Sequence, residues 1–324
     1  LDHGDLPPPD ITDDNELTIA KVQLGRMLFY EPMLSLDGSM SCSSCHQQEN
    51  AFSDSAQFSL GVDGLPGGRH AMSVFNMAWN SNEFFWDGRA HLLRDQSLLP
   101  IQDPLEMKES LPAVIGKLEA DPKYLNPFAL AFGKEKVTEF RISLALEQFM
   151  NSIVSYNSKY DQHLAGTATL TDSEERGRKL YFTEFNPFFP DQSGADCAHC
   201  HGGDNFENDQ YMNNGLDSDA DIQDDGRMKV TTNSSDKGKF KVTSLRNIAL
   251  TPPYMHDGRF STLEEVVDHY NGGLVYSSTI DPALEATRAT GLFLSAQDKI
   301  DLVNFLKTLT DNEVTTDERY SSPF

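Results

Sequence analysis

The chain has 324 residues, enough for two compact domains. Its formal charge is -24, from 50 acidic against 26 basic residues, which disfavours nucleic acid and anionic lipid as partners and suits basic partners or simple solubility. No apolar run reaches membrane-spanning length, so a membrane span is excluded as an expectation.

In chain order, Leu1 to Asp14 is polar and Pro-rich, unlike a signal peptide, and reads as the start of a mature or trimmed form, exported and periplasmic if the reading of the two cysteine motifs below holds. A helix is predicted over Ile19 to Tyr30. It carries Gly25-Arg26-Met27-Leu28-Phe29, 17 residues before Cys42. Cys42-Ser43-Ser44-Cys45-His46 follows. Glu139 to Tyr156 has apolar residues at helical spacing and should close a first domain. Ala165 to Thr169 reads as the linker. Thr171-Asp172-Ser173-Glu174 caps a helix over Ser173 to Phe182. That helix contains Gly177-Arg178-Lys179-Leu180-Tyr181, 20 residues before Cys197. Cys197-Ala198-His199-Cys200-His201 is the second pentapeptide. Asp217 to Asp221 alternates like a calcium loop but lacks the central Gly and terminal Glu, and reads as a solvated loop. A final helix is predicted over Ser295 to Leu309.

All four cysteines fall in the two C-x-x-C-H pentapeptides. Two thiols add across the vinyl groups of a haem, and the following His ligates its iron, so each pentapeptide carries what a covalent haem c needs. The competing use is a four-cysteine zinc site. The pairs lie 155 residues apart, and zinc does not require a His after both. A redox dithiol or a pair of disulfides leaves both histidines equally unexplained. The repeat before each motif argues for two similar domains. The expected fold is mainly α, with two cytochrome c-like haem domains at 1–166 and 167–324, long loops and little sheet.

Phe85-Trp86-Asp87-Gly88-Arg89-Ala90, then Gln96, Pro100 and Glu106, resembles the bacterial dihaem cytochrome c peroxidase and MauG superfamily. So does Leu245-Arg246-Asn247 with Thr251-Pro252-Pro253-Tyr254-Met255-His256-Asp257-Gly258. The match runs from about Leu17 to the C-terminus. The resemblance implies a peroxide site at the first haem, with His46 as proximal ligand. It implies Glu106 as the acid-base carboxylate, Gln96 and Pro100 as pocket neighbours, and Trp86 as the indole on the electron path. It also implies a calcium ion held by the carbonyls of Thr251 and Pro253, with Asn76 as the candidate side-chain ligand. Hydrogen peroxide and a redox donor or protein substrate are the implied partners. Members of this family often form homodimers.

Two departures point to a subtype. Common dihaem peroxidases carry a His in the loop before Phe85-Trp86. Gly61 to Gly68 has none, and His70 falls where the family usually has Asn. The first haem should then be open, as in MauG. Common peroxidases also place Met 14 residues after the position of His256. Here that position is Tyr270, as in MauG, with Met255 and His269 as rival ligands. A phenolate favours the more oxidised iron, whereas a thioether favours ferrous iron. The leading expectation is a MauG-like dihaem peroxidase that shares oxidising equivalents with a His/Tyr-ligated second haem. The alternatives are a conventional cytochrome c peroxidase and a non-enzymatic electron carrier.

Overall fold

A computed structural model describes residues 1–134 and 136–324. The chain forms two units. Unit 1 comprises Leu1–Phe84, Ala90–Ser155 and Asn312–Phe324; unit 2 comprises Phe85–Arg89 and Tyr156–Asp311. Helices dominate both.

Unit 1 holds α1 (Ile19–Phe29), α2 (Leu93–Gln102), α3 (Leu111–Ala120), α4 (Pro122–Phe132) and α5 (Glu139–Ser152). Thr18 and Thr138 start α1 and α5 by accepting from the main-chain N–H three residues on. Helices α1 and α5 cross in backbone contact. A Cβ placed on Gly25 would lie 1.9 Å from Ala145 O, so glycine is required by close approach. One turn further on, the Phe29 and Phe149 rings meet edge-on at 5.2 Å. Arg26 donates to the main-chain oxygens of Ser321 and Glu318, both at 2.6 Å, fixing the C-terminal tail to this unit. Buried Arg94 of α2 joins Glu147 of α5 at 3.1 Å and Asp14 at 2.7 Å, anchoring the N-terminal segment.

Unit 2 repeats that crossing. It contains α6 (Lys159–Leu164), α7 (Asp172–Phe182), α8 (Cys197–Cys200), α9 (Met228–Thr231), α10 (Leu263–Asp268), α11 (Leu284–Thr290) and α12 (Ala296–Lys307). Its sheet is one antiparallel pair, β1 (Tyr211–Met212) on β2 (Phe240–Lys241). Capping boxes start α6, α7, α10 and α12 at Ser158, Thr171, Thr262 and Ser295. A Cβ on Gly177 of α7 would lie 1.9 Å from Asp301 O of α12. Tyr181 and Phe305 then meet at 5.2 Å, the counterpart of Phe29 and Phe149.

The mainly helical class with little sheet is as expected. The expected division at 166/167 differs from the observed one at three places. Helix α6 belongs to unit 2, because Tyr160 packs edge-on against Phe305 at 5.1 Å and its N–H donates to Thr308 O. Residues 165–169 are therefore a polar turn within unit 2. The tail after Asp311 belongs to unit 1, and Phe85–Arg89 to unit 2. Among the described residues no helix is long and apolar enough to cross a membrane.

Asp301 carries a pH-dependent part of the α7–α12 contact. Hydrogen bonds from Arg176 Nε, at 2.6 Å, and from Ser173 hold its carboxyl down to about 2, against an ordinary value near 3.8. A depressed folded-state value gives stability that is complete above about pH 4 and is lost as pH falls toward 2. Urea midpoints followed by circular dichroism should fall over that window in the parent protein. They should fall less steeply in Asp301→Asn.

Candidate active site and haem-binding sites

In unit 1 the segment Cys42–Ser44 forms one tight 3-10 turn, and His46 N–H closes onto Cys42 O at 3.0 Å. This brings two thiols and an imidazole together within five residues. The chain then reverses at Ala51 and Phe52, both at positive φ, which aims Phe52 O at His46 Nδ1, 3.0 Å away. Nδ1–H donates to that carbonyl, so Nε2 is the nitrogen left to meet a metal. Burial holds the His46 imidazole below its ordinary value and pushes the Cys42 thiol up to about 12.

Cys42, Cys45 and His46 line an open cleft of about 540 Å³, and Gln96, Pro100 and Glu106 line the same cleft. Gln96 and Pro100 are four residues apart on α2 and so share one face. Glu106 sits in the turn after α2, fixed by its N–H to Asp103 O at 3.0 Å and by Met107 N–H to Pro100 O at 3.2 Å. The loop that begins at Gly61 lies directly on this turn. Val62 N–H donates to Glu106 O at 2.9 Å, and a Cβ on Gly61 would lie 2.2 Å from Leu105 O. That loop carries no histidine and braces the carboxylate's backbone. His70 is buried outside the cleft, with Nδ1 3.1 Å from Ala56 O and Nε2 3.3 Å from Ser53 Oγ. Both of its ring nitrogens are engaged by the protein.

In unit 2, Cys197, Cys200 and His201 lie on α8 and its C-terminal cap. His201 Nδ1 lies 3.0 Å from Thr243 O and 3.3 Å from Phe206 O, again leaving Nε2 free to coordinate. Burial pushes the two thiols up to about 12 and about 11, and holds the imidazole down to about 4. Tyr270, like Cys197 and Ala198, packs against the unit 2 core. Burial pushes its phenol up to about 12. Tyr270 sits in a π-helical turn, His269–Gly273, a rare geometry that recurs at functional sites. Asn214 was not singled out from the sequence. Its amide lies 3.4 Å from the Tyr270 oxygen and 3.2 Å from the Met255 sulfur.

Trp86 belongs to the Phe85–Arg89 segment of unit 2. Its main-chain oxygen accepts from Lys241 N–H at 2.8 Å. Arg227 Nη1 donates to the oxygens of Asp87 and Gly88 at 2.9 and 3.0 Å and lies over the Tyr211 ring. Gly88 sits at φ +71, a conformation that favours glycine, and a Cβ there would also press on the Tyr211 hydroxyl at 2.1 Å.

Thr251 and Pro253 lie in unit 2, in the turn before the Tyr254–Phe260 bridge, whereas Asn76 lies in unit 1. Asn76 exchanges both amide hydrogen bonds with Ser155, at 2.9 and 2.8 Å, and acts there as a backbone brace. The acidic loop after Leu216 spends its carboxylates on the protein. Asp217 pairs with Arg259 at 2.7 Å, Asp219 accepts from Ser278 N–H, and Asp221 accepts from the Ser218 hydroxyl.

All four cysteines are unpaired. Among the described residues no group of three or more His, Cys, Asp or Glu side chains is gathered to hold a metal ion. Two thiols with a neutral, Nδ1-anchored imidazole fit a covalently held haem in each unit.

The profile of the family described as di-haem cytochrome c peroxidase matches residues 19–169. Methylamine utilization protein MauG of Methylorubrum extorquens is 34% identical over 298 residues, covering 91% of this chain and 79% of that protein. Cytochrome c551 peroxidase of Nitrosomonas europaea is 36% identical over 249 residues, covering 76% of this chain and 71% of the relative. Among solved structures, a MauG-like protein associated with microbial copper homeostasis superposes with a TM-score of 0.88 at 35% identity, over 98% of this chain and 97% of that one.

Proposed function

The chain belongs to the di-haem cytochrome c peroxidase family and is a haem peroxidase, and on that premise we propose that it works in the MauG-like manner. Hydrogen peroxide is consumed in unit 1, and the oxidising power is withdrawn from a protein substrate or a small redox donor. The observation that carries this reading is that Gln96, Pro100 and Glu106 line the same cleft as Cys42, Cys45 and His46.

Cys42, Cys45 and His46 would hold a haem, which when bound would supply an iron able to accept peroxide and its oxidising equivalents. Glu106 removes the proton from one peroxide oxygen and returns it to the other, acting first as base and then as acid. Gln96 presents an amide to the same space and orients the peroxide. The loop from Gly61 holds the Glu106 turn from behind and supplies no side chain that would close the site. In unit 2, Tyr270 is proposed to cap the iron held by His201, and Trp86 to carry the electron. The same reading includes two covalent haems, a periplasmic location, a homodimer, and a calcium ion at the carbonyls of Thr251 and Pro253.

The conventional alternative is a peroxidase that turns over rapidly with a reduced cytochrome or cupredoxin, and the similarity to the Nitrosomonas peroxidase favours it. Steady-state oxidation of reduced cytochrome c by peroxide separates the two. The MauG-like reading predicts slow turnover, with the oxidising equivalents retained in the protein between additions of donor. Rapid turnover would establish the conventional activity instead.

A further inference from the structure

Asn214 touches all three side chains that the sequence offers as sixth ligand in unit 2. Its carboxamide nitrogen lies 3.4 Å from the Tyr270 oxygen and 3.2 Å from the Met255 sulfur. Its main-chain oxygen lies 3.0 Å from His269 Nε2. We propose that Asn214 is a positioning residue that sets which side chain ligates the second haem, holding Tyr270 in and keeping Met255 and His269 out. This rests on the reading that Tyr270 is the sixth ligand.

The three contacts act differently. His269 donates Nε2–H to the Asn214 carbonyl, which uses the outer ring nitrogen and ties the imidazole to the loop. Met255 is a weak acceptor, and the amide tethers its sulfur. Its own backbone is at φ +76, a left-handed conformation that a side-chain-bearing residue rarely adopts, so its direction is set from both ends. A phenol oxygen is the better acceptor. It takes the amide hydrogen bond and keeps a lone pair for a metal. The π-helical turn sets the register at which Tyr270 meets that amide.

Asn214 is itself held rigidly. Asn213 is 4% exposed, and its amide donates to Ser277 Oγ at 3.0 Å and Thr279 Oγ1 at 2.9 Å. Its side-chain oxygen accepts from Gly215 N–H at 3.0 Å, closing the turn around Asn214. A donor on so fixed a turn can discriminate between ligands that differ little in reach.

The test is made on the haem-loaded protein with Asn214→Leu, which removes the donor, and Asn214→Asp, which keeps the size and replaces the donor by an acceptor. Absorption and paramagnetic resonance spectra and the reduction potential of the second haem are recorded. Both variants should weaken the tyrosine-to-iron signature in the ferric state. A His/Met signature should appear on reduction and vanish when Met255→Leu is added. Unchanged ligand signatures and an unchanged potential in both variants would overturn the proposal. Tyr270→Phe separates the two levels of the argument. If it leaves the ligand signature intact, the Tyr270 reading itself fails. If it abolishes the signature while both Asn214 variants match the parent, the role of Asn214 alone fails.

Discussion

Replacing Glu106 by Gln slows the reaction with hydrogen peroxide by roughly 100-fold or more, the usual cost of losing a positioned acid-base group. The substitution keeps the side chain's size and a polar end, so the haem content and the spectrum of the second haem stay at parent values. What is lost is the capacity to take a proton from one oxygen and return it to the other. Rapid mixing with peroxide at varied concentration gives the second-order rate constant directly. A parent-like constant would remove Glu106 from the chemistry. The prediction depends on the placement of Glu106 in the His46 cleft, on a turn fixed by Asp103, Pro100 and Val62.

Gly177→Val destabilises unit 2 at or above the upper end of the roughly 1–3 kcal/mol usual for overpacking. The new side chain has nowhere to go. Its Cβ alone would lie 1.9 Å from Asp301 O and 2.9 Å from Phe305 Cβ, so α7 and α12 must separate. Backbone cannot yield as the tip of a long side chain does. Urea unfolding of the haem-loaded protein, followed by circular dichroism, should show the loss as a lower midpoint. Gly25→Val should do the same through Ala145 O and Phe149. A midpoint equal to the parent's in either variant would mean that the helix crossing is more tolerant than its geometry implies.

These two glycines also show how far the sequence could be read. The Gly-Arg repeat before each C-x-x-C-H motif was visible because both copies keep Gly, Arg, Leu and an aromatic ring. The other half of each crossing was not, because Ala145 and Phe149 share with Asp301 and Phe305 little beyond spacing and a ring. Only contact in three dimensions reveals them as equivalents. The domain boundary was misplaced for a related reason. A Gly- and Thr-rich stretch at 165–169 looks like a linker, yet α6 is claimed by Tyr160 packing on Phe305, a contact 145 residues distant in sequence. The candidate cleft was legible because Gln96, Pro100 and Glu106 lie within eleven residues of one another. Asn76 is the calcium candidate that the family resemblance offers from the Arg69 to Asn80 stretch, and its bonds to Ser155 have no local signal in the sequence. Asn214 was invisible because its importance lies in which side chains converge on it.

On the proposed function, two similar attachment motifs build unlike sites: an open iron over His46 and a closed one between His201 and Tyr270. Paramagnetic resonance and resonance Raman spectra of the resting ferric protein test it most directly. The expected result is one five-coordinate, His-ligated haem and one six-coordinate haem with His and Tyr ligands. Two six-coordinate haems at rest, or a His/Met pair at the second, would contradict it.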